Sequence, residues 1–133
     1  MQSSPLHNAR RALVVDDDEF QRDLLREMLQ QAGWQDVGVC AGGEEALASL
    51  QQRGVGGYAL LLVDLHMPSM DGFQFMQALE ATGFGGAVII VSGQSREVLH
   101  SAALVAQLRR FRLLGTLSKP VQPEPLRELL ARA

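Results

Sequence analysis

Lysine is almost missing from this sequence: eleven arginines carry the positive charge, and Lys119 stands alone. A chain that writes arginine nearly everywhere had that option at 119 too, so a compact ammonium on a flexible stem is expected to serve there. Cysteine is as scarce. Cys40 by itself can form neither an internal disulfide nor a cysteine-rich zinc site, which points to a reducing compartment. No apolar run exceeds Tyr58 to Val63, far short of the roughly 18 residues of a membrane span, and no charged-then-apolar leader opens the chain. A cytoplasmic protein without membrane segments is expected. The net charge of -3 is small and argues against a surface built chiefly to neutralise nucleic-acid phosphates.

What is present suits one domain around one sizeable core, since 133 residues rule out two. With 47% apolar and 20% charged residues, the composition is that of an ordinary globule rather than a disordered tail. Met1 to Asn8 is polar apart from Leu6, so residues 1–10 are expected to be a flexible segment ahead of a domain over 11–133. Five short runs have strand length: Ala12 to Val15, Val37 to Cys40, Ala59 to Val63, Ala87 to Val91 and Leu113 to Leu117. Between the first two, Phe20, Leu24, Leu25, Met28 and Leu29 recur at helical spacing behind Glu19, and Gly33 stops the helix. Further helices follow Gly43 (Ala46, Leu47, Leu50) and Gly72 (Phe73, Met76, Leu79), run from Val98 to Leu108, and end with Leu126, Leu129 and Leu130 behind Pro123 and Pro125. Unbroken apolar strands alternating with amphipathic helices mean a parallel sheet covered on both faces. The expected class is α/β, a doubly wound (βα)5 unit of five parallel strands in the flavodoxin-like order 2-1-3-4-5.

In such a sheet ligands bind beyond the carboxyl ends of the strands. Asp16 and Asp17 follow the first strand, Asp64 the third, Ser92 the fourth, and Lys119 comes just after the fifth. The expected strand order makes these strands neighbours, so residues up to a hundred positions apart converge. Clustered carboxylates repel and call for a cation, and an oxygen-only donor set with room for water suits Mg²⁺. Phosphoryl transfer needs positioning and charge neutralisation, with little covalent work beyond a nucleophile. Here one carboxylate can attack phosphorus, the others can hold the ion, an ammonium can pair a phosphoryl oxygen, and a hydroxyl can donate to another. Gly93, directly after Ser92, leaves the approach open.

Four ordered segments resemble the receiver domain of two-component response regulators: Leu13-Val-Val-Asp-Asp-Asp18, Leu62-Val-Asp-Leu-His-Met-Pro-Ser-Met-Asp-Gly72, Val91-Ser-Gly93 and Ser118-Lys-Pro120. The resemblance implies Asp64 as phosphoacceptor, and Asp16 and Asp17 as the acidic pair that binds Mg²⁺ or Mn²⁺. It adds the backbone carbonyl of His66 as a further metal ligand. Ser92 becomes the switch hydroxyl and Lys119 the phosphate-pairing cation ahead of a cis proline at Pro120. The implied partners are a sensor histidine kinase or histidine phosphotransfer protein as donor, and an effector domain or protein as target. The output face would be made by the fourth helix, fifth strand and fifth helix, through which homodimers can also form. Receivers often carry an aromatic residue three positions before the lysine, where Thr116 stands, so a ring-swing relay is not expected. The long span between Ser92 and Lys119, with Leu114-Gly-Thr-Leu-Ser-Lys-Pro120, looks like receivers that precede EAL-type cyclic-di-GMP phosphodiesterase domains.

Two rival functions use the same residues. A haloacid-dehalogenase-like phosphatase would read Asp16-x-Asp18 as nucleophile and acid, but it needs an acidic metal pair after the lysine, where only Glu124 and Glu128 remain. A phosphorylation-independent adaptor would keep the fold for binding alone, and the intact acid set argues against it. A nucleotide or flavin binder lacks its glycine-rich phosphate loop. Simpler roles account for the rest: Asp18 or Glu19 caps a helix, Asp71 begins the third helix, and His7 and His100 lie at the surface. Arg109, Arg110 and Arg112 make a solvated basic face. The apolar stretch Leu104 to Leu108 belongs mostly to the core.

Overall fold

The computed structural model describes residues 11–54, 56–65, 70, 72–93, 96–108 and 111–133. Strands β1 (Arg11–Val15), β2 (Asp36–Cys40), β3 (Leu60–Asp64), β4 (Ala87–Ser92) and β5 (Arg112–Ser118) form one parallel sheet in the order β2-β1-β3-β4-β5. Helices α1 (Glu19–Gln31), α2 (Gly43–Arg53), α3 (Gly72–Thr82), α4 (Arg96–Leu108) and α5 (Pro123–Leu130) link or follow the strands. The expected strand order and all five helices are present. Each strand lies within a residue or so of its expected bounds.

Every residue of β3 and β4 is buried, because these central strands carry helices on both faces. On one face Leu13, Val15, Leu61, Val63, Val88 and Ile90 pack with residues of α2, α3 and α4, among them Ala46, Leu50, Phe75, Leu79 and Ala106. On the other, Ala12, Val14, Leu60, Leu62, Ile89 and Val91 meet Leu25 and Leu29 of α1 and Leu126 and Leu129 of α5. The alternation along each strand is the two-residue period that assigns successive side chains to opposite faces. The chain runs from β1 outward to β2 and then returns to the other side of β1, so a crevice opens at the carboxyl ends of β1 and β3.

Two expectations about helix faces are corrected. Phe20 belongs to the apolar periodicity of α1, yet it is 74% exposed, and the buried stripe is Gln21, Leu25 and Leu29. Asp18 caps the helix by accepting from the backbone N–H groups of Phe20 and Gln21, which starts α1 at an angle that turns position 21 inward. Along α4, Ala106 is buried and Val105 half-buried, whereas Leu104 is 47% exposed, so that stretch is only partly core. His100 and Arg112 are exposed as expected, and Gly33 leaves α1 with a φ of 101° that suits glycine. Residues 1–10, including His7, lie outside the described residues, as do Asp71, Arg109 and Arg110.

Candidate functional site

Register brings the expected site together. Val15 pairs with Val63, so Asp16 and Asp64 leave adjacent strands at the same level. Asp64 pairs with Val91, placing Ser92 one step beyond, and Ser92 in turn pairs with Ser118, the residue before Lys119. The ladder runs one rung further where the Lys119 N–H donates to the Ser92 carbonyl at 3.0 Å, and the Lys119–Pro120 peptide is cis. Four strands thus end in a shared rim of acids, a hydroxyl and the lone lysine.

Carboxylate oxygens of Asp16, Asp17 and Asp64 lie within 4.8 Å of one another. Asp16 and Asp64 are buried and Asp17 is exposed. The Lys119 ammonium stands between the two buried acids, donating to Asp64 Oδ2 at 3.1 Å and lying 3.0 Å from Asp16 Oδ2. Burial alone would make this lysine easier to deprotonate. Its contacts with Asp16 and Asp64 outweigh that effect and hold it above the ordinary lysine value. Three carboxylates meet around one ammonium, so among the described residues the side chains that converge here are mainly acidic. Ser92 is fully buried at the end of β4. A Cβ at Gly93 would stand 3.9 Å from the Lys119 Cβ, an ordinary van der Waals distance, so the lysine stem is not crowded there.

The three consecutive acids have three different surroundings. Asp16 is pinned on every side: its N–H donates to the Cys40 carbonyl at 3.0 Å, its carbonyl accepts from Arg22 Nη1 at 2.9 Å, and its Oδ1 accepts from the Asp18 N–H at 2.9 Å. Its Oδ2 is buried and faces the ammonium with no in-line hydrogen-bond donor among the described residues. Asp17 projects from the rim, and Asp18 is committed to capping α1.

A hard divalent cation fits this donor set. All the offered atoms are oxygens, and the buried Asp16 Oδ2 has the Lys119 ammonium at 3.0 Å but no aligned donor among the described residues, so an oxygen-seeking cation suits the cluster. The His66 carbonyl, expected as a further ligand, lies outside the described residues. A groove of about 560 Å³ lined by Trp34, Ala59, Arg112 and Arg127 opens at the opposite ends of the strands, away from these acids.

Two residues outside the expected set shape the rim. Arg22 reaches back from α1 to the Asp16 carbonyl; its only sequence signal is a position one turn inside a helix that follows an acidic strand end. Gly72 is needed for contact, since its N–H donates to the Leu65 carbonyl at 2.7 Å and a Cβ there would sit 2.6 Å from the Leu65 Cα. The start of α3 is thereby drawn tight against the segment that leaves Asp64.

Comparison with known proteins bears on the fold and the family. The model of the response regulator receiver domain matches residues 12–131. Chemotaxis protein CheY of Thermotoga maritima is 25% identical over 121 residues, covering 91% of this chain and 94% of that protein. A response regulator receiver protein of Anaeromyxobacter is 32% identical over 112 residues, covering 84% of this chain and 43% of that protein. The structure of chemotaxis protein CheY4 of Vibrio cholerae superposes with a TM-score of 0.74 at 28% identity, covering 92% of this chain and 96% of the other. Two other curated relatives are far longer, and the chain spans 8% and 24% of their lengths. Among the described residues no helix is long and apolar enough to cross a membrane. Strand order, an acid rim at the β1–β3 crevice, and a family match over nearly the whole length lead to one assignment: the chain belongs to the response regulator receiver domain family.

Proposed function

We propose that this receiver accepts a phosphoryl group on Asp64 from the phosphohistidine of a sensor histidine kinase or histidine phosphotransfer protein. The supporting observation is the meeting of Asp16, Asp17 and Asp64 around the chain's single lysine. Asp16, Asp17 and Asp64 would hold Mg²⁺ or Mn²⁺, which when bound neutralises charge on the phosphoryl oxygens. A carboxylate oxygen of Asp64 attacks phosphorus, the imidazole N–P bond breaks as the O–P bond forms, and the departing imidazole takes a proton from water. Lys119 turns from the carboxylates to a phosphoryl oxygen, and the Ser92 hydroxyl donates to another. The product is a stoichiometric acyl phosphate, so the domain signals rather than turning over substrate.

The new group carries about -1.5 to -2 charges near neutral pH, held where Lys119 and Ser92 end β5 and β4. Their recruitment biases the face formed by α4, β5 and α5 between two states, and that face passes the signal to an effector domain or partner, or to a second copy. Thr116 is half-buried opposite Ile90 and has no ring, so the coupling runs through the strand ends themselves. An EAL-type phosphodiesterase domain as the effector is supported by the sequence likeness alone, the long span from Ser92 to Lys119 together with the Leu114 to Pro120 segment.

The test is to incubate the protein with acetyl phosphate and Mg²⁺ and weigh it intact. One added phosphoryl mass is expected, lost in Asp64→Ala and with EDTA, and kept in Asp71→Ala. Many turnovers on a phosphomonoester, or a modification that survives Asp64→Ala, would overturn the assignment.

A further inference from the structure

We infer that Arg22 is a positioning residue that sets divalent-ion affinity by holding the peptide between Asp16 and Asp17. The inference rests on the ion-binding role proposed for those acids. Asp17 is exposed, yet its carboxylate stays within 4.8 Å of carboxylate oxygens on Asp16 and Asp64. Its direction depends on the peptide that precedes it, and the carbonyl of that peptide is the group to which Arg22 Nη1 donates at 2.9 Å. The Arg22 backbone is fixed in the first turn of α1, where its N–H donates to the Asp18 carbonyl at 2.9 Å, and its side chain is half-buried. The Asp16 N–H is tied to Cys40 and its carbonyl to Arg22, so both sides of the residue are held by hydrogen bonds. Asp16 and Asp17 are thus presented toward one point from a strand end and the exposed position after it. An arginine suits this task because its planar fork keeps its hydrogen-bonding direction, and a partner one step removed from the ligands commonly governs their grip on a metal.

Charge and geometry predict opposite outcomes here. A guanidinium beside an acid cluster repels a divalent cation, so if charge were its main effect, removing it would tighten ion binding. If holding the peptide is its role, removal loosens binding. Mn²⁺ is titrated into the full chain, and free ion is read by electron paramagnetic resonance, with urea midpoints recorded for each variant. Arg22→Met is expected to weaken Mn²⁺ binding about tenfold, the lower end of what such partners contribute, and Arg22→Lys to weaken it less. Asp17→Asn added to Arg22→Met should cost less than it does in the parent, because the two residues act through one ligand. Equal or tighter binding by Arg22→Met, or fully additive losses, would overturn the inference. Should Arg22→Met fail to fold, the same cycle is run with Arg22→Lys, with a loss of less than about tenfold expected at the weaker donor. A parent protein that binds no Mn²⁺ would instead overturn the ion-binding role itself.

Discussion

Replacing Lys119 with methionine removes the ammonium that stands between Asp16 and Asp64 while keeping the length of the stem. At 3.0 and 3.1 Å, each pair represents about 5 kcal/mol of Coulomb attraction at an effective dielectric of 20. Desolvation of the three groups offsets most of that gain. The measurable loss is the cost of leaving two buried carboxylates without their ammonium, about 3–5 kcal/mol for a fully enclosed pair. Lys119 is 24% exposed, and water or a proton can replace part of what it supplies, so about 2–4 kcal/mol is expected. Urea denaturation in EDTA reads this directly. Mg²⁺ at a hundred times its dissociation constant stabilises any folded binder by about 2.7 kcal/mol. In Lys119→Met the ion no longer competes with an ammonium, so a given Mg²⁺ concentration should restore more stability than it adds to the parent. A variant as stable as the parent in EDTA, or one that gains less from Mg²⁺, would refute the reasoning.

Three further outcomes follow from the packing. Gly72→Ala places a methyl group 2.6 Å from the Leu65 Cα and should lower stability by about 1–3 kcal/mol through overpacking, as read by thermal denaturation; no change would mean that α3 is not held against the Asp64 loop. Phe20→Ala should alter stability by less than about 0.5 kcal/mol because the ring is 74% exposed, whereas Leu25→Ala should cost about 2–5 kcal/mol; the reverse ranking would restore Phe20 to the core. Burial first, and Glu45 second, push the Cys40 thiol up to about 11 from 9.0, against an opposing effect of Arg22. The unfolded thiol then ionises before the folded one, so stability is fully present below pH 9 and falls as pH rises toward 11. The slope reaches at most about 1.4 kcal/mol per pH unit, and it should be shallower in Cys40→Ala; parallel curves for the two proteins would contradict it.

Much of this protein is legible because its signals are local. A run such as Leu60 to Val63 has to be buried on both faces, and the spacing of Leu25 and Leu29 has to face a sheet, whatever the rest of the chain does. Acids and the lone lysine at strand ends also mark one rim once the strands are parallel. The orientation of α1 was harder to read, because stripes through Phe20, Leu24 and Met28 or through Gln21, Leu25 and Leu29 share one periodicity. The Asp18 cap and the sheet surface choose the second, although it buries a glutamine whose Nε2 has no hydrogen-bond partner among the described residues.

From the order of residues alone came the parallel sheet, its winding and the identity of the acids, since periodicity and strand-end position are properties of short segments. Folding in three dimensions decided which oxygens meet. The register of Val15 with Val63 and of Ser92 with Ser118 sets Asp16, Asp64 and Lys119 within bonding reach, and the guanidinium of Arg22 lands on one particular carbonyl. Those contacts depend on the relative shift of strands far apart in the chain and on the rotation of a helix about its axis. No short segment encodes either quantity, because both are fixed only when the helices close over the sheet.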